Sequence, residues 1–452
     1  MTLAFTSRAG RGALAASIVA SGMAFLDSSI VTVAAPHIAA DLGGGFASMQ
    51  WVVDGYLLTL GALVLVGGAM GDLLGKRRVF IAGTLCFGVA SVLCGLAPTM
   101  PALIGARMAQ GACAAFMVPT SLALLNAVFA DADRGRAIGA WSGLSGVFTA
   151  LGPFAGGLLV DTFSFGWRLA FLLNIPLTAA AVWLALKFVP DLPGTGATVR
   201  SVDWRSAVVA TLGLGLVVGP LIDRGPWTLP LVLLGATLLV VFVLLQRRPA
   251  QVMMPLALFG IRSFSVANLV TFVVYGSFTA GLFLVTVYLQ VGMGFSALVA
   301  GASGLPITIL LMLLSSWMGG LVGRYGPRWF LTGGPIVMGA GLWWLGQLEP
   351  GDSLWTTVLP AMVLFAAGLV LVVAPVTTAA LGDIGPEQSG TASGINNAVA
   401  RVAGLIAIAV LPALAGMGED GVTGYGRALV LAAAMCAAGG LIAAFGFRSH
   451  QA

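Results

Sequence analysis

The chain is predicted to be an all-α polytopic membrane protein, built as two six-helix halves with two further helices inserted between them, for about fourteen spans. Three observations predict this. Of 452 residues, 59% are hydrophobic and only 8% are charged, and the mean hydropathy is +1.03, a composition that belongs to helical membrane proteins. A helix needs about 20 apolar residues to cross a hydrocarbon core of about 30 Å, and the chain breaks into segments of that kind separated by short turns rich in Gly, Pro and charge. A string also recurs: residues 68–77 (GAMGDLLGKR) close the second segment, and residues 319–328 (GGLVGRYGPR) close the tenth, 251 residues later.

In order, the segments start near Leu14, Ala47, Val79, Pro101, Gly135, Trp167, Arg205, Thr228, Ser265, Ala297, Trp329, Leu354, Gly390 and Arg427. The repeat makes residues 1–190 an N-terminal six-helix half and residues 263–452 its C-terminal counterpart. Residues 191–262 then hold linkers and the inserted pair. The first linker is marked by Pro190, Pro193, Gly194 and Gly196. Because the insertion is even, the second half keeps its orientation. Parallel halves of this kind bind small molecules between them near the midplane.

The 21 Lys and Arg are unevenly placed. Arg8, Arg11, Lys76, Arg77, Arg78, Arg134, Arg136, Lys187, Arg200, Arg205, Arg247, Arg248, Arg262, Arg324, Arg328 and Arg448 fall at the termini or in the even-numbered loops. Arg168, Arg224 and Arg427 fall on the other side. The richer side, with both termini, is expected to be cytoplasmic, and the same asymmetry explains the net charge of +5. These charges are scattered, so no exposed basic face is available for nucleic acid. Arg8 and Arg11 before an apolar run resemble a signal peptide, but the run continues to Pro36, and removing it would upset the charge asymmetry downstream. Cys86, Cys94, Cys113 and Cys436 lie within spans, and His37 and His450 sit in loop or tail positions, which argues against structural disulfides and metal sites. No nucleotide-binding loop and no nucleophile–base arrangement stands out. The chain is therefore not expected to be an enzyme, and an ion gradient is the expected source of any energy it uses.

Asp27, Asp54 and Arg107 lie inside the first, second and fourth segments. A charge at bilayer depth costs roughly 2.5 to 3.5 kcal/mol on the lenient insertion scale, so such residues are usually functional or paired. The first segment runs outward and the second and fourth run inward, which brings all three to a similar depth: Asp27 about 20 Å from the cytoplasmic side, Asp54 and Arg107 about 10 Å below the outer one. Whether a carboxyl there holds a proton depends on whether the guanidinium approaches it. Asp27 is thus the expected proton-coupling carboxylate, Arg107 the proton's competitor, and Asp54 either a further proton or cation site or an outer-vestibule residue. Arg401, midway along the thirteenth segment, is a further buried charge.

Several strings, in this order, resemble the major facilitator superfamily, and within it the fourteen-helix drug:proton antiporters. They are FLDSSIVTVAAPHI (residues 25–38), GDLLGKRR (71–78), LIGARMAQGACAA (103–115), GPFAGG (152–157), WRLAFLLNIP (167–176) and GTASGINNAVARVAG (390–404). The pattern is broken at Ser29 and Thr32, at Leu73 where Arg is customary, and at Phe148 where another Gly is common. The resemblance implies a major-facilitator-type fold and a monomeric, proton-coupled exporter of drugs or lipophilic, cationic small molecules. It implies no cofactor beyond the proton and a place in the cell membrane. It supports the roles given to Asp27 and Arg107 and makes Asp72, Gly75, Lys76 and Arg77 a cytoplasmic gate. Gly139, Gly143, Gly146, Gly152, Gly156 and Gly157 thin the fifth segment for close helix contact, and Pro153 permits a kink. With the antiporter motif, Gly152, Pro153, Gly156 and Gly157 become candidates for sealing and bending between the halves. Trp51, Phe116, Trp141, Tyr275 and Arg401 are candidates to line the substrate cavity, as are Met117, Phe148, Phe278 and Tyr288. Two acids in the N-terminal half favour lipophilic cations. A dedicated exporter of a metabolite or lipid and a non-transporting membrane sensor are the alternatives.

Overall fold

The computed structural model describes residues 3–195, 202–247, 253–385 and 388–447, so Gly196, Arg200, Arg248, Arg448 and His450 lie outside the described residues. Among the described residues sixteen α-helices follow one another: α1 (Arg8–Leu42), α2 (Phe46–Leu74), α3 (Lys76–Gly95), α4 (Met100–Val128), α5 (Asp131–Thr162), α6 (Gly166–Leu172), α7 (Asn174–Phe188), α8 (Trp204–Ile222), α9 (Thr228–Leu245), α10 (Arg262–Val291), α11 (Ala297–Ala302), α12 (Leu305–Tyr325), α13 (Arg328–Leu345), α14 (Leu359–Leu381), α15 (Ser389–Ala415) and α16 (Tyr425–Gly446). The helix starts follow local chemistry. Ser7 Oγ accepts from Gly10 N at the head of α1, and Thr99 Oγ1 accepts from Ala102 N at the head of α4. α6 and α7 form one span broken at Leu173, which leaves Asn174 at the start of the second piece.

Among the described residues, thirteen helical stretches are long and apolar enough to cross a membrane. The sequence expectation is about fourteen. The stretch that falls short is α13, at the place expected for the eleventh segment. Its 18 residues reach about 27 Å, but Arg328, Pro335, four glycines and three tryptophans dilute its apolarity.

The chain clusters into two compact units. The first holds Met1–Gly44, Trp51–Gly215 and Gly235–Met253, and the second holds Gly45–Gln50, Leu216–Leu234 and Met254–Ala452. Helices α8 and α9 are each shared between them.

In the first unit, α1 lies close against α5. A Cβ at Gly152 would stand 1.8 Å from Ser29 Oγ, and one at Gly156 would stand 3.0 Å from Ile30. α2 meets α4 in the same way, where Cβ atoms at Gly67 and Gly111 would fall 1.9 Å from Ala115 O and 2.2 Å from Tyr56 O. The expected glycine face of α5 divides, however. Gly152, Gly156 and Gly157 are buried, whereas Cβ atoms at Gly139, Gly143 and Gly146 would meet open space, so close contact does not extend along the first half of that helix. Phe148, the departure from the glycine pattern, packs into the space left by Gly22 on α1, where an added Cβ would stand 2.5 Å from its ring.

In the second unit, α10 lies against α15 through Gly276 and Gly404, and α13 lies against α14 through Gly341 and Gly368. The sequence repeat is a repeat of conformation as well. Gly75 (φ 98°) and Gly326 (φ 74°), again 251 residues apart, both turn the chain through the left-handed region that glycine tolerates. Arg77 and Arg328 stand at matching positions. Arg77 Nη2 donates to Leu186 O (2.7 Å) in the last turn of α7, and Arg328 Nη2 donates to Ala444 O (2.8 Å) in the last turn of α16. Each cation thus meets carbonyls that lack an intrahelical donor, at the negative end of the helix dipole.

Candidate functional site: a buried ion pair and its donor shell

The charged centre of the first unit is made by α1, α3, α4 and α7. Arg107 Nη1 lies 2.6 Å from Asp27 Oδ2, and both side chains are 1% exposed, as deep as the apolar core around them. Asp27 Oδ1 accepts two more hydrogen bonds, from Gln110 Nε2 (2.9 Å) and Asn174 Nδ2 (2.8 Å). Arg107 is anchored in turn: Nε donates to Val52 O (3.0 Å), Nη1 donates to Gln110 Oε1 (2.5 Å), and the guanidinium lies 4.4 Å from the centroid of the Tyr56 ring. Ser91 Oγ accepts from Gln110 Nε2 (2.6 Å) and Asn174 Nδ2 (3.0 Å), tying the two amides together.

The arrangement has a definite polarity. All three partners of Asp27 donate to it, one at Oδ2 and two at Oδ1. Removing one member of a buried pair while leaving the other charged costs about 3–5 kcal/mol, so the shell is stable only as a set. Gln110 and Arg107 reach Asp27 together because they are three apart on α4 and share one face. The break at Leu173 places Asn174 in the same shell.

Asp54 stands apart from this set. It is fully buried on α2, and neither carboxylate oxygen has a hydrogen-bond partner among the described residues. The structure therefore brings together Asp27 and Arg107 but does not join Asp54 to them.

The candidate gate lies where α2 turns into α3. Lys76 Nζ is 2.7 Å from Asp72 Oδ1, and Asp72 O accepts from Thr195 N (3.1 Å). Gly75 presses on the linker so closely that a Cβ would lie 2.5 Å from Leu192 O. Leu73, in the place of the customary arginine, packs with Val66, Val202 and Ala207. The remaining gate candidates, Gly152, Pro153, Gly156 and Gly157, belong to the α1–α5 contact.

The cavity candidates divide between the units. In the first, Phe116 packs against Val66, Val202 and Ala207. Trp141 packs with Leu14, Ile18 and Leu125, and its indole N–H donates to Ser21 Oγ (3.1 Å). Trp51 is half-buried on α2. In the second, Tyr275 on α10 is half-buried and meets Phe278 edge to face, with ring centroids 6.4 Å apart, and Arg401 on α15 is half-buried.

Ser91, Asn174 and Tyr56 were not expected as site residues. Gln110 and Asn174 stood inside quoted motifs without a role, and Ser91 gave only the weak signal of a small polar residue in an apolar span.

A family description, the Major Facilitator Superfamily, matches residues 18–408. The probable actinorhodin transporter of Streptomyces coelicolor is 33% identical over 396 residues, which cover 84% of this chain and 68% of that protein. Multidrug resistance protein Stp of Mycobacterium tuberculosis is 35% identical over 384 residues, covering 83% and 70% respectively. A chain solved in work on substrate recognition in proton dependent oligopeptide transporters aligns with a TM-score of 0.67 across 96% of this chain and 98% of that one. At 14% identity this likeness speaks to the fold alone. Proteins of this family are transporters and not enzymes, and their helices span the membrane many times. The chain belongs to the Major Facilitator Superfamily.

Proposed function

We propose that the protein is a proton-coupled exporter of drug-like, lipophilic small molecules that works by alternating access. The observation that carries this reading is the carboxylate of Asp27, buried to 1% and held by Arg107, Gln110 and Asn174. A guanidinium beside a carboxylate disfavours its proton, so a conformational change that draws Arg107 away favours protonation, and that is the link an antiporter requires. In this reading Asp27 takes the proton, Arg107 competes with it, and Asp54 is a second acid outside the shell. Asp72, Gly75, Lys76 and Arg77 hold the cytoplasmic end, and the α1–α5 contact at Gly152, Pro153, Gly156 and Gly157 seals and bends. Two relatives named for actinorhodin transport and multidrug resistance support the drug-like substrate class.

The same reading takes α13 as a fourteenth span and places the protein in the cell membrane, as a monomer with both termini in the cytoplasm and the proton as its coupling ion. A dedicated exporter of one metabolite is the second reading, favoured by the relative named for a single compound. The test is flux of fluorescent drugs in proteoliposomes under imposed pH gradients, with wild type and Asp27→Asn. Flux driven by the gradient in wild type and lost in Asp27→Asn supports coupling at Asp27. Flux indifferent to the gradient ends the proton-coupled reading, and a wild type that moves one compound among many favours the dedicated exporter.

A further inference from the structure

The shell around Asp27 contains two amides of the same chemistry that are held differently. Gln110 is engaged at both ends. Its Nε2 donates to Asp27 Oδ1 (2.9 Å) and Ser91 Oγ (2.6 Å), and its Oε1 accepts from Arg107 Nη1 (2.5 Å) and Cys94 Sγ (3.5 Å). Asn174 Nδ2 likewise donates to Asp27 Oδ1 (2.8 Å) and Ser91 Oγ (3.0 Å). The Asn174 side chain is 1% exposed, yet its Oδ1 is buried with no hydrogen-bond partner among the described residues. A buried acceptor left without a donor is costly, and this one stands in the shell of a charged carboxylate.

The two charge states of Asp27 ask different things of that amide. While the carboxylate is ionised, Asn174 has one good orientation: turned over, it would set Oδ1 where Nδ2 now stands, 2.8 Å from an anionic oxygen. Once a proton binds, the carboxyl group carries an O–H that needs an acceptor inside the core. Gln110 is held in place by Arg107 and cannot turn without breaking that bond. Asn174 can turn. The torsion of a terminal amide is broad and nearly two-fold, so the turn needs no new rotamer of the rest of the side chain. Each orientation leaves one atom of the amide without a partner, so that term cancels. The Ser91 hydroxyl rotates, and it can donate to the carbonyl in place of accepting from the N–H. Turning also takes one of two donors off Asp27 Oδ1 and frees a lone pair there for the proton.

We infer that Asn174 is the proton-responsive partner of Asp27: its amide donates to the carboxylate and, when a proton arrives, turns over so that its carbonyl accepts from the new O–H. The proton comes from water and forms one O–H bond on Asp27 Oδ1. The hydrogen bond that Asn174 donated is exchanged for one that it accepts, while Gln110 keeps its bond to Oδ1. The inference rests on the reading of Asp27 as the proton carrier and adds to it the group that stabilises the protonated state.

The chain has five asparagines, so carbon-13 at the asparagine side-chain carbonyl reports on few amides. Labelled full-length protein in lipid bilayers is followed by infrared difference spectroscopy between neutral and acidic pH, for wild type, Asp27 variants and Asn174→Gln. Acidified wild type is expected to show a carboxylic-acid carbonyl band that is missing in Asp27→Asn or, where that variant folds poorly, moved in Asp27→Glu. With it, a labelled amide band is expected to move to lower frequency, as a carbonyl does on gaining a donor. Asn174→Gln keeps an amide but takes it out of the label, so the labelled shift is expected to vanish. Gradient-driven export in proteoliposomes is expected to fall about tenfold in Asn174→Leu, as a buried donor loses its acceptor, and to recover in part in Asn174→Gln. An Asp27 carboxyl band without a labelled shift, a labelled shift that persists in Asn174→Gln, or undiminished export by Asn174→Leu overturns the inference and leaves Asp27 as the proton carrier. Absence of any carboxyl band that depends on Asp27 overturns both. A labelled shift that vanishes in Asn174→Gln, with flux indifferent to the gradient, supports the inference and ends the exporter reading.

Discussion

The two units solve the same packing problem around different centres. In the first, helices converge on an ion pair, Asp27–Arg107, wrapped by Gln110, Asn174 and Ser91. In the second, the α10–α15 contact holds a neutral cluster in which Asn396 donates to Asn268 and Thr271. Their turns differ in the same sense. Gly75 and Gly326 share one conformation and Arg77 and Arg328 one role, but Asp72 and Lys76 make an ion pair where the second unit has Gly323 and Pro327. Backbone geometry is thus common to both copies at this turn, and the Asp27–Arg107 and Asp72–Lys76 ion pairs belong to the first. A buried charge pair is a poor source of stability and a good element for a switch, which is why the proposed function puts the proton in the first unit.

The largest effects are expected at the charged centre. Arg107→Ala leaves Asp27 buried without its counter-charge and is expected to cost about 3–5 kcal/mol, read as a loss of folded protein in membranes and a lower melting temperature in detergent. Asp27→Asn keeps the volume but leaves the buried Arg107 guanidinium without its counter-charge, so a comparable loss of stability is expected, and in the protein that folds gradient-driven export is expected to fall to background while exchange persists. If Asp27→Asn still concentrates substrate, the contrast between the units loses its functional meaning.

The turns come next. Gly75→Ala and Gly326→Ala both force a side chain into the left-handed region at about 1–2 kcal/mol each. Gly75→Ala is expected to cost more, because its Cβ also falls 2.5 Å from Leu192 O. Equal losses in thermal melting would show that the linker yields freely there. Asn396→Ala, at the neutral centre, is expected to lower stability by about 1–3 kcal/mol as two buried acceptors lose their donor. The smallest change in stability belongs to Asp72→Asn, about 0.5 kcal/mol, since the Asp72 side chain is 63% exposed. If it nevertheless slows transport severalfold, the pair acts on conformation and not on folding.

Much of the architecture was legible in the sequence, because spans and their repeat are written in apolar length and in glycine. The meeting of Asp27 with Arg107 was legible too, since charges in apolar segments have few places to go. Ser91 and Asn174 were not, because a neutral polar side chain costs little in a span and does not stand out from packing residues. Asp54 looked like a member of the same set by depth alone, and depth says nothing about which way a side chain faces. α13 was read as a span from its apolar run between turns, although glycine and tryptophan dilute that run. Phe148 read as a defect in a glycine pattern, but the missing volume had moved to Gly22 on the facing helix, and only the pair reveals the fit.

The three donors on Asp27 bear on efficiency as well as on coupling. A bare carboxylate in the middle of a membrane protein would pick up a proton whenever water reached it and drop it whenever water reached the other side, discharging the gradient with no cargo moved. A carboxylate already satisfied by Arg107, Gln110 and Asn174 has little need of a proton until its partners are drawn away. In the proposed cycle the shell is therefore insulation: it keeps the idle transporter from leaking the gradient that it spends.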